Sequence, residues 1–273
     1  MRNLNHRHPT RPSTSWSLLR SVCAVAGVVV MLVWSARAPA RAAAQSTLAA
    51  RQILDRVDDL YRGESSHGQL TMTVTTAHWT RTLKIEFWSK GKTESLFRIL
   101  APSKEEGTAT LRAGNDIWNY LPRVKRVIKL PSSMMSASWM GSHFTNDDLI
   151  KESRMADDYT YEVTFEGPRA GRPIVEITCL PKPQAAVVWG KVVVGVDRDL
   201  FLPREIQYYD ESQSLARTLT FSDVARLGDR QLPTTLTVVP ADKPGESTVM
   251  HYEKLEFNVP LDDEFFSLRT LQR

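Results

Sequence analysis

Four Asp-Asp pairs, Asp58-Asp59, Asp147-Asp148, Asp157-Asp158 and Asp262-Asp263, are the residues of this 273-residue chain whose type and spacing suit acid–base chemistry. One carboxyl of such a pair can hold a proton while its neighbour stays ionised, as general acid–base catalysis requires. Each pair also has an ordinary use on a helix face, at a helix start or in a turn, where acids cap backbone N–H groups and complement the helix dipole. Ser142, in Met-Gly-Ser-His-Phe, could be a nucleophile with His143 as its base. The second glycine of a nucleophile elbow is missing, however, and consecutive side chains rarely face each other. The histidines after residue 44, His67, His78, His143 and His251, lie far apart. There is no His-Glu-x-x-His and no cysteine pair at metal spacing. No catalytic residue, metal site or cofactor is therefore assigned, and the chain is not read as an enzyme.

A different chemistry gathers between Trp118 and Leu149. Met134, Met135, Trp139, Met140 and Phe144 lie in a Ser-rich connection, where soluble domains seldom keep large apolar side chains. Methionine repacks around varied partners, so such a loop reads as a lid or a soft binding surface for lipid. Just upstream, Arg123, Lys125, Arg126 and Lys129 could meet lipid headgroups or an acidic partner. They alternate with Val124, Val127 and Ile128, so a solvated strand face explains them as well. Phe87, Phe97, Trp118 and Tyr120 are candidates to line an apolar cavity, and they also fit as ordinary inward-facing core. Trp139→Asp is expected to abolish lipid retention and leave the fold intact.

These residues must be positioned by a mainly β domain. Leu48, Ile53, Leu54, Val57, Leu60 and Tyr61 fall near 3.6-residue spacing, which predicts one helix over 47–62 with Gly63 as its stop. After it the pattern alternates with period two. Strands are predicted over 70–75, 83–87, 94–100, 109–112, 117–121 and 124–129, then over 159–166, 174–180, 187–196, 204–209, 215–221, 234–239 and 247–257. Short turns such as Gly114-Asn115-Asp116 and Lys243-Pro244-Gly245 imply antiparallel pairing, because parallel crossovers need a dozen or more residues. Thr145 to Asp148 resembles a capping box with Asp at its third position, and Asp262 to Glu264 mark a second helix start.

The chain opens with a secretory-signal pattern: Arg2, Arg7, Arg11 and Arg20, the apolar run Val22 to Trp34, then small residues with a cleavage site expected near Ala44. The apolar run is 13 residues long, against the roughly 20 needed to span a bilayer. Residues 1–44 are thus read as a signal peptide and 45–273 as one exported, periplasmic domain. Of 35 Lys+Arg, six arginines fall in the signal, which leaves 29 bases against 31 acids and a net of −2. The basic character belongs to the signal and gives no reason to expect a nucleic-acid partner. Cys179 is then the sole cysteine, which excludes an internal disulfide.

Five segments in order carry a family resemblance: YLPRVKRVIKLPSS, MGSHFTNDDL, VDRDLFLPREIQYYD, FSDVARLGDRQLPTTLTV and LEFNVPLDDEFFSL. Over about Leu48 to Leu271 the chain resembles LolA-like outer-membrane lipoprotein-sorting proteins, in particular the TP-0789-type branch of the LolA/LolB superfamily. The resemblance implies an incomplete antiparallel β-barrel with an N-terminal helix and short helices over its open side, enclosing an apolar cavity. It further implies a periplasmic carrier that binds acyl chains of a lipid or lipoprotein and meets an inner-membrane exporter or outer-membrane receptor; a monomer is expected. The alternative is a periplasmic sensor or accessory subunit of a lipid exporter that binds a protein partner. A lipid hydrolase would require Ser142 or His143 to act. The chain departs from the family pattern at Trp139, where Phe is usual, at His143, where an acid is expected, and at Asn146, where an aromatic is expected.

Overall fold

The computed structural model describes residues 38–151, 155–185 and 187–273. The apolar run of the signal therefore lies outside the described residues. Helix α1 (Ala38–Asp59) begins earlier than its apolar stripe predicts, in an Ala-rich stretch of high helix propensity. It stops near Gly63, whose φ of +62° suits a residue without Cβ and whose N–H donates to Asp59 O at 3.3 Å. Its apolar face is used as the spacing requires: Ala50 and Leu54 are buried, with Ile53 and Val57 packed beside them. Among the described residues no helix is long and apolar enough to cross a membrane.

Two meanders follow. The first contains β1 (Ser65–Thr75), β2 (Thr80–Lys90), β3 (Glu94–Ala101), β4 (Ala109–Ala113), β5 (Asp116–Leu121) and β6 (Arg126–Lys129). The second contains β7 (Tyr159–Arg169), β8 (Arg172–Pro181), β9 (Lys191–Asp197), β10 (Leu202–Tyr209), β11 (Leu215–Leu227), β12 (Arg230–Pro240) and β13 (Ser247–Phe257). They join where β1 pairs with β13, Met72 opposite Met250, to make one 13-stranded antiparallel sheet. β6 and β7 are its two edges, so the sheet is not closed into a barrel. The open side accords with the incomplete barrel that the resemblance implies.

The edge at β6 is short and charged, with Arg126 and Lys129 exposed on it. Its predicted first residues instead form a 3₁₀ turn, Pro122–Val124, and Lys125 follows in the left-handed region at φ 50°. Proline removes a ladder donor and fixes φ, so the strand cannot start there. Short, basic edges discourage pairing with another chain, which accounts for this cluster without a ligand.

Between the edges runs a strap, described over residues 130–151 and 155–158, which contains α2 (Asn146–Lys151) and α3 (Met155–Asp158). It packs into the same core as α1, through Trp139, Met155 and Ala156. That core also takes the inward side chains Leu70, Met72, Val74, Leu83, Ile85 and Phe87. A separate cluster forms around Leu96 on β3 and Ala109 and Leu111 on β4, with Trp88 of β2 packed against it. The C-terminal segment roofs it with Phe265, Phe266 and Leu271, the last from α4 (Leu268–Leu271), which Ser267 caps.

Candidate functional site

The strap is folded by its own polar residues. Thr145 N donates to Asp148 Oδ2 at 2.7 Å and Asp148 N donates to Thr145 Oγ1 at 3.2 Å, the reciprocal capping box that the sequence suggests. Asn146 Nδ2 donates to Met134 O and Ala137 O, at 3.0 and 3.2 Å, and so closes the methionine-rich turn. An aromatic there could not make these bonds. Met140 and Gly141 both have positive φ, 49° and 69°, which reverses the chain so that Trp139 points inward.

Four side chains, Arg81, Arg112, His143 and Arg217, latch this strap to the sheet. The Arg81 guanidinium on β2 donates to Met140 O, and Arg112 Nη1 on β4 donates to Leu149 O at 2.6 Å. His143 Nδ1 meets Thr248 Oγ1 at 2.9 Å, while its Nε2 meets Glu246 Oε2 at 3.0 Å. Arg217 on β11 donates through Nη1 and Nη2 to the two carboxylate oxygens of Asp148, at 2.7 and 2.6 Å, and Nη1 also reaches His143 O. Bidentate charge-assisted bonds of this kind are the strong class. Arg217 remains charged. Burial pulls its pKa down most, but Asp148 and Tyr208 outweigh that and raise it.

The His143 hydrogen bond holds the Glu246 carboxyl below its ordinary value near 4.5, helped by the N–H of Ala77. A lowered folded-state pKa gives stability that is present above the unfolded value and lost as pH falls through the folded one. The strap is thus expected to loosen on acidification below about pH 4.5. Glu246→Gln should remove part of that dependence; hydrogen exchange of the 139–148 amides against pH tests it. An unchanged acid profile in the variant would mean that this latch carries none of it.

Trp139 is the strap's anchor. It is 1% exposed, its ring meets Phe97 edge-on at 5.0 Å, and its indole N–H donates to Thr110 Oγ1 at 3.3 Å. Burial overturns the expectation that Trp139→Asp would spare the fold, since a carboxylate there would lie in the core without a cationic partner.

Beneath the strap, between α1 and the inner face, lies an apolar cavity of about 100 Å³, whose walls include Val57, Phe87, Phe97, Ile206, Phe221 and Tyr252. Asp58, Arg62, Ser89 and Ser95 give it a polar side. A smaller hollow of about 30 Å³ adjoins it and shares Met155, Tyr208 and Leu219. Gly68 makes room for this wall: a Cβ there would meet Phe87 Cζ at 2.7 Å and Lys254 O at 2.5 Å.

The predicted residues divide among several places. Phe87 and Phe97 face the cavity, stacked at 6.0 Å. Phe144 lines the adjoining hollow, and Met140 packs partly buried against the main core. Met135 rests on Ile117 and Leu130 in a small separate cluster. Met134 is 45% exposed. Trp118 and Tyr120 do not share a wall with Phe87 and Phe97: they pack on the cluster under the C-terminal segment, Trp118 opposite Leu111 and Tyr120 opposite Ala109. Arg123, Lys125, Arg126 and Lys129 are all exposed, and Lys129 pairs with Asp116 at 2.6 Å.

Ser142 and His143 do not face each other. Ser142 Oγ donates to Trp139 O at 2.7 Å and is buried, whereas the His143 ring is taken by Thr248 and Glu246. Among the described residues no group of three or more His, Cys, Asp or Glu is arranged to hold a metal ion. Sequence reasoning passed over Arg217. The signal was there, because Arg217 shares its alternation phase with Leu219 and Phe221, a charge set among inward apolar residues.

A family model described as "Uncharacterized protein" matches residues 91–273. No curated protein matches the chain. Solved structures with a similar fold include a DUF1329 family protein from Desulfovibrio piger, 24% identical with TM-score 0.75 over 83% of this chain and 99% of that one. A putative outer membrane lipoprotein-sorting protein domain from Vibrio parahaemolyticus is also 24% identical, with TM-score 0.72 over 82% and 98%. A LolA superfamily protein from Nitrosomonas europaea is 22% identical, with TM-score 0.69 over 81% and 98%. The chain belongs to the family that this model describes, and its fold is the LolA-like one.

Proposed function

We propose that residues 45–273 form an exported, periplasmic carrier that takes the acyl chains of a lipid or lipoprotein between α1 and the inner face of the sheet. The strap is its gate, and no covalent step is involved. The observation that carries this reading is the apolar cavity walled by Phe87, Phe97 and Phe221 beneath a segment held by discrete polar latches. At about 100 Å³ the cavity is well below the roughly 300–1,000 Å³ of sites that hold a small ligand. The arrangement is thus a closed form, and loading requires the strap or α1 to move outward. A ten-carbon chain would contribute roughly 8 kcal/mol of gross transfer free energy against that movement, at about 0.8 per methylene. Release then follows when a membrane, exporter or receptor favours the open form.

Purification of the protein from the periplasm, native mass spectrometry and lipid extraction test the proposal. A bound mass in the lipid range is expected. An empty protein that also takes up no added fatty acid or phospholipid would sink the carrier reading, and a module that binds a protein partner would replace it.

A further inference from the structure

Arg217 is an unusual residue to find on an inward strand face. Its side chain is 6% exposed, and its guanidinium lies over two adjoining rings, 4.6 Å from the Trp189 centroid and 4.3 Å from that of Tyr208, which are 5.2 Å from each other. Its Nε is buried and has no hydrogen-bond partner. The hollow beside it adjoins the larger apolar cavity. A buried cation of fixed direction, next to space lined by Phe144, Met155 and Leu219, is the complement of a molecule with an oxyanion head and an alkyl tail.

We propose that Arg217 receives the oxyanion head group of an alkyl-chain ligand, and that Asp148 occupies that position while the strap is closed. The inference rests on the carrier reading and adds the chemistry of the ligand's head. Asp148 presents its two oxygens to Arg217 as a ligand carboxylate or phosphate would. It also stands on the strap, as the residue that closes the start of α2. As the strap loosens, an incoming oxyanion can engage the unpaired Nε and take the place of the Asp148 carboxylate. Exchange of one anion for the other frees a latch at the moment the tail needs room, so loading and opening become one event.

The test compares decanoate with 1-decanol, equal chains with and without the charge, by equilibrium dialysis against the exported protein at neutral pH. Wild type is expected to bind decanoate at least about tenfold more tightly. Asp148→Asn, which keeps the shape of the competitor and removes its charge, should tighten decanoate further by about fivefold or more and tighten decanol by clearly less, since only decanoate gains the freed guanidinium. The double variant R217M/D148L removes both charges together and should bind the two probes within about twofold of each other. A decanoate preference that survives in the double variant overturns the proposal, as does wild type binding both probes equally. Should the double variant not fold, Asp148→Asn decides alone, and an unchanged decanoate affinity refutes the exchange. If inorganic phosphate displaces decanoate at matching concentration, the site reads a free oxyanion and the head-group assignment falls. Binding of neither probe would instead bring down the carrier reading itself.

Discussion

Trp139→Ala is expected to lower the stability of the protein by about 3–5 kcal/mol, the range for deleting a buried aromatic from a core. Three losses combine. The ring's buried apolar surface goes, the edge-on contact with Phe97 at 5.0 Å goes, and Thr110 loses the indole donor. Because Trp139 is the strap's deepest side chain, the cavity it leaves opens toward the one already beneath the strap. In a domain of this size the melting temperature should fall by about 10 °C or more. Trp139→Phe keeps most of the ring and should cost less than half as much. A melt of Trp139→Ala within 2–3 °C of wild type would show that the strap does not depend on this anchor.

Asp148→Ala has a comparable expected cost, about 3–5 kcal/mol, for a different reason. The carboxylate does not simply vanish; it leaves the Arg217 guanidinium charged in a place that water hardly reaches. The cap at Thr145 is lost as well, worth about 1 kcal/mol. R217M/D148L should recover most of the deficit and lie within about 2 kcal/mol of wild type, because no charge is then stranded. Urea denaturation of the two single variants and the double variant gives the coupling directly. Strictly additive losses would mean that the two side chains do not depend on each other for stability.

Much of this architecture was legible because alternation is a strong signal when one face of a sheet meets a core. The inward set Leu70, Met72 and Val74, and its partners Leu83, Ile85 and Phe87, follow from period two alone. Alternation assigns residues to one of two phases and does not say which phase is inside. In β5 both phases carry apolar residues, Trp118 and Tyr120 on one and Ile117 and Leu121 on the other, so Trp118 and Tyr120 could be read as cavity lining, although the C-terminal Phe265 and Phe266 cover them. That pairing spans well over a hundred residues and leaves no local trace. The methionine-rich connection was recognisable by composition, but its depth was not. Whether Trp139 lies on the surface or 1% exposed depends on the left-handed turn at Met140 and Gly141. The two odd residues of the strap, His143 and Asn146, acquire their meaning from partners that only the fold supplies: Thr248 and Glu246 for one, Met134 O and Ala137 O for the other.

The pairing of β1 with β13 has a consequence for how the chain reaches its native state. Every other neighbouring pair of strands is consecutive in sequence, so each meander can zip locally as its hairpins emerge. The central seam cannot: Thr71 and Glu253, which bond across it, are 182 residues apart. Until the last strand arrives, β1 and β12 present long unsatisfied ladders, the kind of surface on which chains aggregate. Closing so large a loop is slow, and it makes the final strand the rate-setting piece of assembly. A nascent chain lacking residues 247–257 would thus hold two half-sheets and no whole one, dependent on chaperones until its final strand is in place.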